Sequence, residues 1–345
     1  MSDSRYFGDQ LNIRINIEQD ADYETLELVD HWSWEHGSVS ITRRVIHAGL
    51  LPAIVESWYP HSNHSYGLIL EDDVELSPLF YGWLKMNLLR YRYRIRHPKV
   101  SYLFIHRLHR NRYGQDQNRS AQMFGISLYQ PKVIETRQEG RAFFNPRTVF
   151  ASNDITEYTT PYLSQIPCSW GAIYFPEHWR EFHTYLNVRL SETLFGIDAV
   201  VVPDARSNRW PKSWKKYFIE LAYLRGYVMV YPNYDNFVSL STNHLEIGSH
   251  VKDTSQESYV QKREMFRVPL MSLEGTTRLV DLPHGTLPTF DELPVLDLFG
   301  RLSSLEDLIL LGKTRRLEMI PACEHTSENH TRPDFGVLLC VPLTE

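Results

Sequence analysis

The chain has 345 residues, 42% hydrophobic and 13% aromatic, enough to bury a sizeable core in one large domain or two small ones. A net charge of -6 without a basic stripe argues against a nucleic-acid partner. The three cysteines, Cys168, Cys323 and Cys340, form no zinc-ligand spacing or disulfide framework, and no apolar run reaches the roughly 18 residues of a membrane-spanning helix.

Taken in order, the chain opens with "MSDSRYFGDQ", which reads as neither a signal peptide nor an anchor. "LNIRINI" alternates strictly, with Leu11, Ile13, Ile15 and Ile17 on one side, and predicts a half-buried strand. "ETLELVDHWSW" predicts a helix, "SVSITRRVIHAG" a short strand and a loop, and "LLPAIVESWY" a helix stopped by Pro60. "SYGLIL" is wholly apolar, as expected of a strand covered on both faces. Ser77-Pro78 predicts a helix start, Ser as N-cap and Pro at the first helical position, with the helix running to about Arg94. The basic run "RYRYRIRH" at its end reads as a solvated helix terminus. Further strands are predicted at "YLFIH", "MFGISLY", "AIYF", "DAVVV" and "YVMVYPN", and further helices at "PEHWREFHTYLN" and "SWKKYFIELAYLR". Residues 252–294 read as an extended, Pro/Gly-punctuated excursion, and the residues from about Leu317 as an irregular tail. The alternation of strands and helices predicts an α/β fold with a mainly parallel sheet, as one domain over 1–316 and a tail over 317–345.

The chemistry concentrates where the run "YGLIL" meets Glu71-Asp72-Asp73. Three carboxylates at the end of a buried strand are costly unless something neutralises them, and Mg²⁺ or Mn²⁺ bridging one or two carboxylates to substrate phosphates does so. Ligands of α/β sheets gather beyond the carboxyl ends of strands, which is where the cluster stands. Acids before a helix are also ordinary structural features, stabilised by its dipole.

The stretch "LILEDDVELSPLFYGWL" resembles the acidic metal-binding motif of GT-A nucleotide-sugar glycosyltransferases, most closely plant and fungal proteins of the family 2 type. The likeness continues through "ETLELVDHWSWEHG", "HAGL", "PCSWGAIYFPEHWREF", "SNRWPKSWKKYFIELAYLRGYVMVYPNYDNF", "STNHLEIGSHV" and "LPVLDLFGRLSSLEDLI", roughly Tyr6 to Leu311. It implies a GT-A, Rossmann-like sheet and transfer of a sugar from a nucleotide-diphosphate donor to a hydroxyl of a glycan, lipid or protein, by inverting displacement with Mn²⁺ or Mg²⁺. Glu71, Asp72 and Asp73 would serve the metal, with His244 (then His250) as a further ligand. Asp72, Arg43, Arg44, His47 and Lys215 would meet the donor, with Lys212 and Lys216 as further candidates. Trp170, Gly171, Trp210 and Trp214 would meet the acceptor. Asp204 and Glu220 are candidates for the general base, as are Glu192 and Asp198.

Two features depart from that pattern. His47 stands where the family commonly has Asn, and nothing before "LNIRINI" supplies the first, central strand of the family's sheet, so the chain reads as N-terminally incomplete relative to the fold. That leaves a second expectation, a GT-A-like module that binds a glycan or a protein without catalysis. A missing N-terminus bearing an anchor would imply a Golgi or secretory location, and otherwise a cytoplasmic one. Asn63, Asn118 and Asn329 head glycosylation sequons, a pattern that also arises by chance.

Overall fold

The computed structural model describes residues 4, 6–93, 121–191, 200–245 and 255–319, without the side chains of 275–277. The elements that frame the site, in chain order, are β1 (Ile13–Ile17), α1 (Tyr23–His31), β2 (Val39–Arg43), α2 (Leu50–Val55), β3 (Gly67–Ile69), β4 (Val74–Leu76) and α3 (Phe80–Tyr91). They continue with β5 (Met123–Ser127), β6 (Val133–Ile134), β7 (Ala142–Phe143), α4 (Pro146–Ala151), β8 (Tyr162–Ser164), β9 (Ala172–Tyr174), α5 (Pro176–Arg189), α6 (Trp214–Arg225), β10 (Val228–Tyr231) and β11 (Ser241–Asn243). α7 (Gln256–Phe266), β12 (Val295–Leu296), β13 (Leu302–Ser303) and α8 (Leu305–Met319) complete the fold.

Seven strands form one sheet in the order β13-β12-β8-β10-β5-β9-β3. It is mixed: β10–β5 and β12–β8 are parallel, and the other four junctions are antiparallel. The expected α/β class is therefore present, with fewer parallel junctions than the sequence suggested. β10 shows why its strands read as unbroken apolar runs: Met229 and Tyr231 enter one core layer, Val228 and Val230 the other. The first layer is aromatic, with Phe124, Tyr174, Trp179, Phe182, Trp214 and Phe218 between the sheet and α5/α6. The second centres on Trp83 of α3, fully buried, whose indole donates to the Ser127 carbonyl at 3.0 Å. Burying such a side chain contributes about 3 kcal/mol, and the hydrogen bond spares the indole N–H an unsatisfied burial.

α6 is buried along its whole length from Trp214 to Leu224 and ends at Gly226, whose φ of +66° is the left-handed turn that closes a helix C-terminus. β1 and β2 pair in parallel around α1 but stand as a two-stranded ribbon outside the large sheet, and β3 is that sheet's edge strand. β4 leaves the sheet to pair antiparallel with β11.

Several elements differ from the sequence reading. α3 begins at Phe80, because Ser77 Oγ accepts the Leu79 N–H at 3.1 Å and donates to the Met271 carbonyl, tying the would-be cap to a distant loop. Its predicted extension to Arg94 and the strand "YLFIH" lie outside the described residues. Val201 and Val202 are buried but form no strand; Arg315 takes the carbonyls of Val200 and Val201, and Asp204 turns the chain at a φ of +56°. The 252–294 stretch contains α7, started by Ser255 accepting from Ser258 N. α8 carries regular structure past residue 316 to Met319.

Candidate functional site

Residues 70–73 form the turn between β3 and β4, and this turn splits the carboxylate row. Asp72 and Asp73 border a cleft of about 1040 Å³, with Glu75, His244, Ser272 and Glu274 on its rim. That volume is at the upper end of ordinary small-ligand sites. His244 is placed by the β4–β11 pairing: its N–H donates to the Asp73 carbonyl at 2.8 Å, and its Nε2 lies 2.6 Å from Glu75 Oε2. No Lys or Arg is among the residues that line the cleft.

Glu71 turns the other way. Burial pushes its carboxyl up to about 8, helped by the neighbouring charges of Asp73 and Asp72 and opposed by Lys215 and the Trp214 indole. The sequence grouped Glu71 with the metal ligands; the turn instead aims it at the start of α6. Among the described residues, no three His, Cys, Asp or Glu side chains converge to hold a metal ion.

Lys215 links this interior to a second locus. Its Nζ lies 3.2 Å from Glu135 Oε2 and 5.4 Å from the Trp170 ring centroid. Burial pushes Glu135 up, but Lys215 and Arg141 outweigh that and hold it below the usual glutamate value. Lys215, Glu135 and Trp170, with Cys168, Tyr162 and Tyr231, line a cavity of about 30 Å³, room for a water but not for a sugar ring. Trp170 packs edge-on against Tyr129 and tilted against Phe266, both at 4.7 Å, while its carbonyl accepts from Ser241 Oγ at 2.6 Å. Gly171 has a φ of +89°, and a Cβ there would lie 3.1 Å from Ser241, so the close passage beside β11 requires glycine. Trp214 is a core residue at 1% exposure and presents no ring to an acceptor. Trp210 keeps partial exposure and carries the Arg206 guanidinium over its ring at 5.7 Å.

The other predicted residues are placed as follows. Arg43 pairs with Asp30, Arg44 with Glu56 at 3.0 Å, and His47 with Asp20 at 3.4 Å; none lines the cleft. Glu220 is enclosed and accepts from Tyr185 Oη (2.7 Å), Arg189 Nε (3.0 Å) and Lys216 Nζ (2.7 Å), which makes it a structural hub rather than a base open to substrate. Asp204 is exposed and accepts from Gln138 Nε2 at 3.3 Å. Glu192, Asp198 and His250 lie outside the described residues. Sequence reasoning missed Glu135 and Arg141, which come from loops with no motif and which only the fold brings to Lys215, and Arg206, whose short 3-10 turn sets it over Trp210 four residues on.

The model of one protein family, described as the SPBC1E8.03c C-terminal domain, matches residues 3–139 and 129–195. Those spans take in the carboxylate turn and the Cys168–Gly171 loop, whereas α6 and His244 lie beyond them. No curated protein matches the chain. With more than half of its length matched, the chain belongs to the SPBC1E8.03c C-terminal domain family.

Proposed function

We propose that this protein is a glycosyltransferase of the GT-A kind, moving a sugar from a nucleotide-diphosphate donor to an acceptor hydroxyl with Mn²⁺ or Mg²⁺. The observation that carries the reading is the pair Asp72 and Asp73 at the end of β3, bordering a ligand-sized cleft beside His244. Two carboxylates suffice for these ions when substrate phosphates supply the remaining oxygens. A cleft without Lys or Arg among its lining residues also needs a cation before a diphosphate will enter it. Asp72 and Asp73 would hold the ion, with His244 adjacent through its 2.8 Å bond to the Asp73 carbonyl. When bound there, the ion supplies the charge that offsets a departing diphosphate.

The chain's own residues would do the rest. The Glu75 carboxylate holds the His244 ring, and Ser272 and Glu274 border the cleft with hydroxyl-bonding groups suited to a sugar. Asp204 is the accessible one of the two base candidates in the described residues, since Glu220 is enclosed. The test is donor hydrolysis and transfer with and without Mn²⁺, comparing wild type with Asp73→Ala. Equal activity in the two proteins refutes the metal role.

The enclosure of Glu220 favours a second reading, a non-catalytic GT-A-like module that binds a glycan or a protein. Calorimetry with a panel of nucleotide sugars separates the two: no heat from any donor, with folding intact, supports the binding module.

A further inference from the structure

α1 is a nine-residue helix with no buried residue. Its side toward the ribbon carries the half-buried Leu26 and Val29, while Tyr23 (75% exposed), Leu28 (69%) and the adjoining Trp32 (37%) stand in solvent. Glu24 and Leu28 share a helix face by their spacing of four, and Trp32 follows Leu28 by four just past the helix end. Glu24, Glu27, Leu28, His31, Trp32 and Ser33 line a groove of about 710 Å³. Trp32 is a fixed anchor, not a loose ring: it stacks on Trp34 at 5.8 Å and 19°, and Trp34 is pinned by its indole donating to the Leu11 carbonyl at 2.7 Å.

The charge around this groove has one sign. Residues 18–42 include Glu18, Asp20, Asp22, Glu24, Glu27, Asp30 and Glu35, and no Lys or Arg. Asp30 pairs with Arg43, Asp20 with His47, Glu18 accepts backbone N–H groups, and Asp22 caps the helix. Glu24 and Glu27, the two carboxylates on the groove, enter no ion pair among the described residues. A fixed indole sharing one groove with two carboxylates that are unpaired among the described residues, with leucine alongside, is complementary to a guanidinium or ammonium that stacks on the ring while pairing with the acids.

We infer that the α1 face is a docking surface for a basic, partly apolar segment of a partner protein. Charge complementarity selects this occupant. An anionic membrane or a nucleic acid is repelled, and a second copy meeting the same face head-on would oppose Glu24 and Glu27 to their own copies. Cationic residues would take Glu24 and Glu27, and an apolar residue would cover Leu28.

The probe is a fluorescein-labelled peptide of alternating arginine and leucine, followed by anisotropy with the full chain at low and at moderate salt. Glu24→Gln/Glu27→Gln and Trp32→Ala should each weaken binding by about tenfold or more, with the charge variant also losing most of its salt dependence. Glu139→Gln/Glu157→Gln, which removes the same charge from exposed positions elsewhere, should bind as wild type does. Equal losses in this control, or undiminished binding by the α1 variants, would show only general attraction to an acidic protein and overturn the inference. So would sedimentation that finds a dimer dispersed by Trp32→Ala, since the face would then belong to a second copy.

Discussion

Replacing Glu220 with alanine tests how the α5–α6 layer is held. Glu220 is 1% exposed and receives three donors, two of them from cations: Lys216, 7% exposed, and Arg189. Truncation leaves both cations without their carboxylate in the aromatic layer, a loss of about 3–5 kcal/mol for a broken buried pair. Glu220→Gln keeps the volume and one acceptor oxygen while losing the charge, so about 1.5–3 kcal/mol is expected, the worth of a hydrogen bond to a charged group. Replacing Glu220, Lys216 and Arg189 together by methionine should recover most of the stability, because no charge is then left unpaired. Urea unfolding followed by tryptophan fluorescence and by far-UV circular dichroism gives the values, and coincident curves establish two-state behaviour. A loss under about 1 kcal/mol for Glu220→Ala, the range of solvent-exposed pairs, would refute the picture of an enclosed network. Glu220→Gln should also retain any transfer activity; its abolition in a stably folded variant would return Glu220 to the role of base.

Three further outcomes follow from particular contacts. Gly312→Ala should loosen α8 from α6, since a Cβ there lies 2.5 Å from the Leu224 carbonyl oxygen; a loss of about 1–3 kcal/mol of overpacking is expected in the same urea assay. Gly171→Ala forces a left-handed φ on alanine and presses Ser241 at 3.1 Å, costing about 1–3 kcal/mol, and it should weaken donor binding as β11 shifts. His178 and His183 are both held below the ordinary histidine value by burial. The unfolded chain therefore takes up protons first, and stability is lost as pH falls below the ordinary value of 6.5. Thermal melts across that window should flatten in His178→Phe, and an unchanged slope would contradict the assignment.

The sequence made most of the scaffold legible because its signals were local. Apolar runs named β3, β5, β9 and β10, and Pro176 with its 3.6-residue pattern named α5. What stayed hidden depended on partners distant in sequence. Ser77 looks like an N-cap until Met271 takes its hydroxyl, and Val200–Val202 look like a strand until Arg315 takes their carbonyls. The site divides the same way. Asp72 and Asp73 are legible from their place after an apolar strand, and His244 reaches them through the β4–β11 register. Trp214 and Glu220 lie deeper than the sequence suggests because α6 is buried on all sides, a fact its polar composition conceals: Lys215, Lys216 and Glu220 neutralise one another or near neighbours inside the fold.

Three acids in a row raised the question of what holds so much negative charge, and the turn at residues 72–73 answers it without an ion. Glu71 is drawn inward, and burial pushes its carboxyl up to about 8, which favours its protonated form at neutral pH. Asp72 is exposed to solvent, and Asp73 is tied to the β4–β11 pair through its carbonyl, which accepts from the His244 N–H. On the proposed reading the turn stands without an ion, and a cation is needed only when a diphosphate must enter a cleft lined by no Lys or Arg. Metal dependence should therefore appear in donor binding and not in folding. Mn²⁺ or EDTA alone should leave the melting temperature nearly unchanged, while Mn²⁺ with a nucleoside diphosphate should raise it, the added stability growing as the logarithm of ligand over Kd and reaching about 2.7 kcal/mol at a hundredfold excess. A large shift from Mn²⁺ alone would mean that the acids repel one another in the apo protein, with Glu71 ionised beside them.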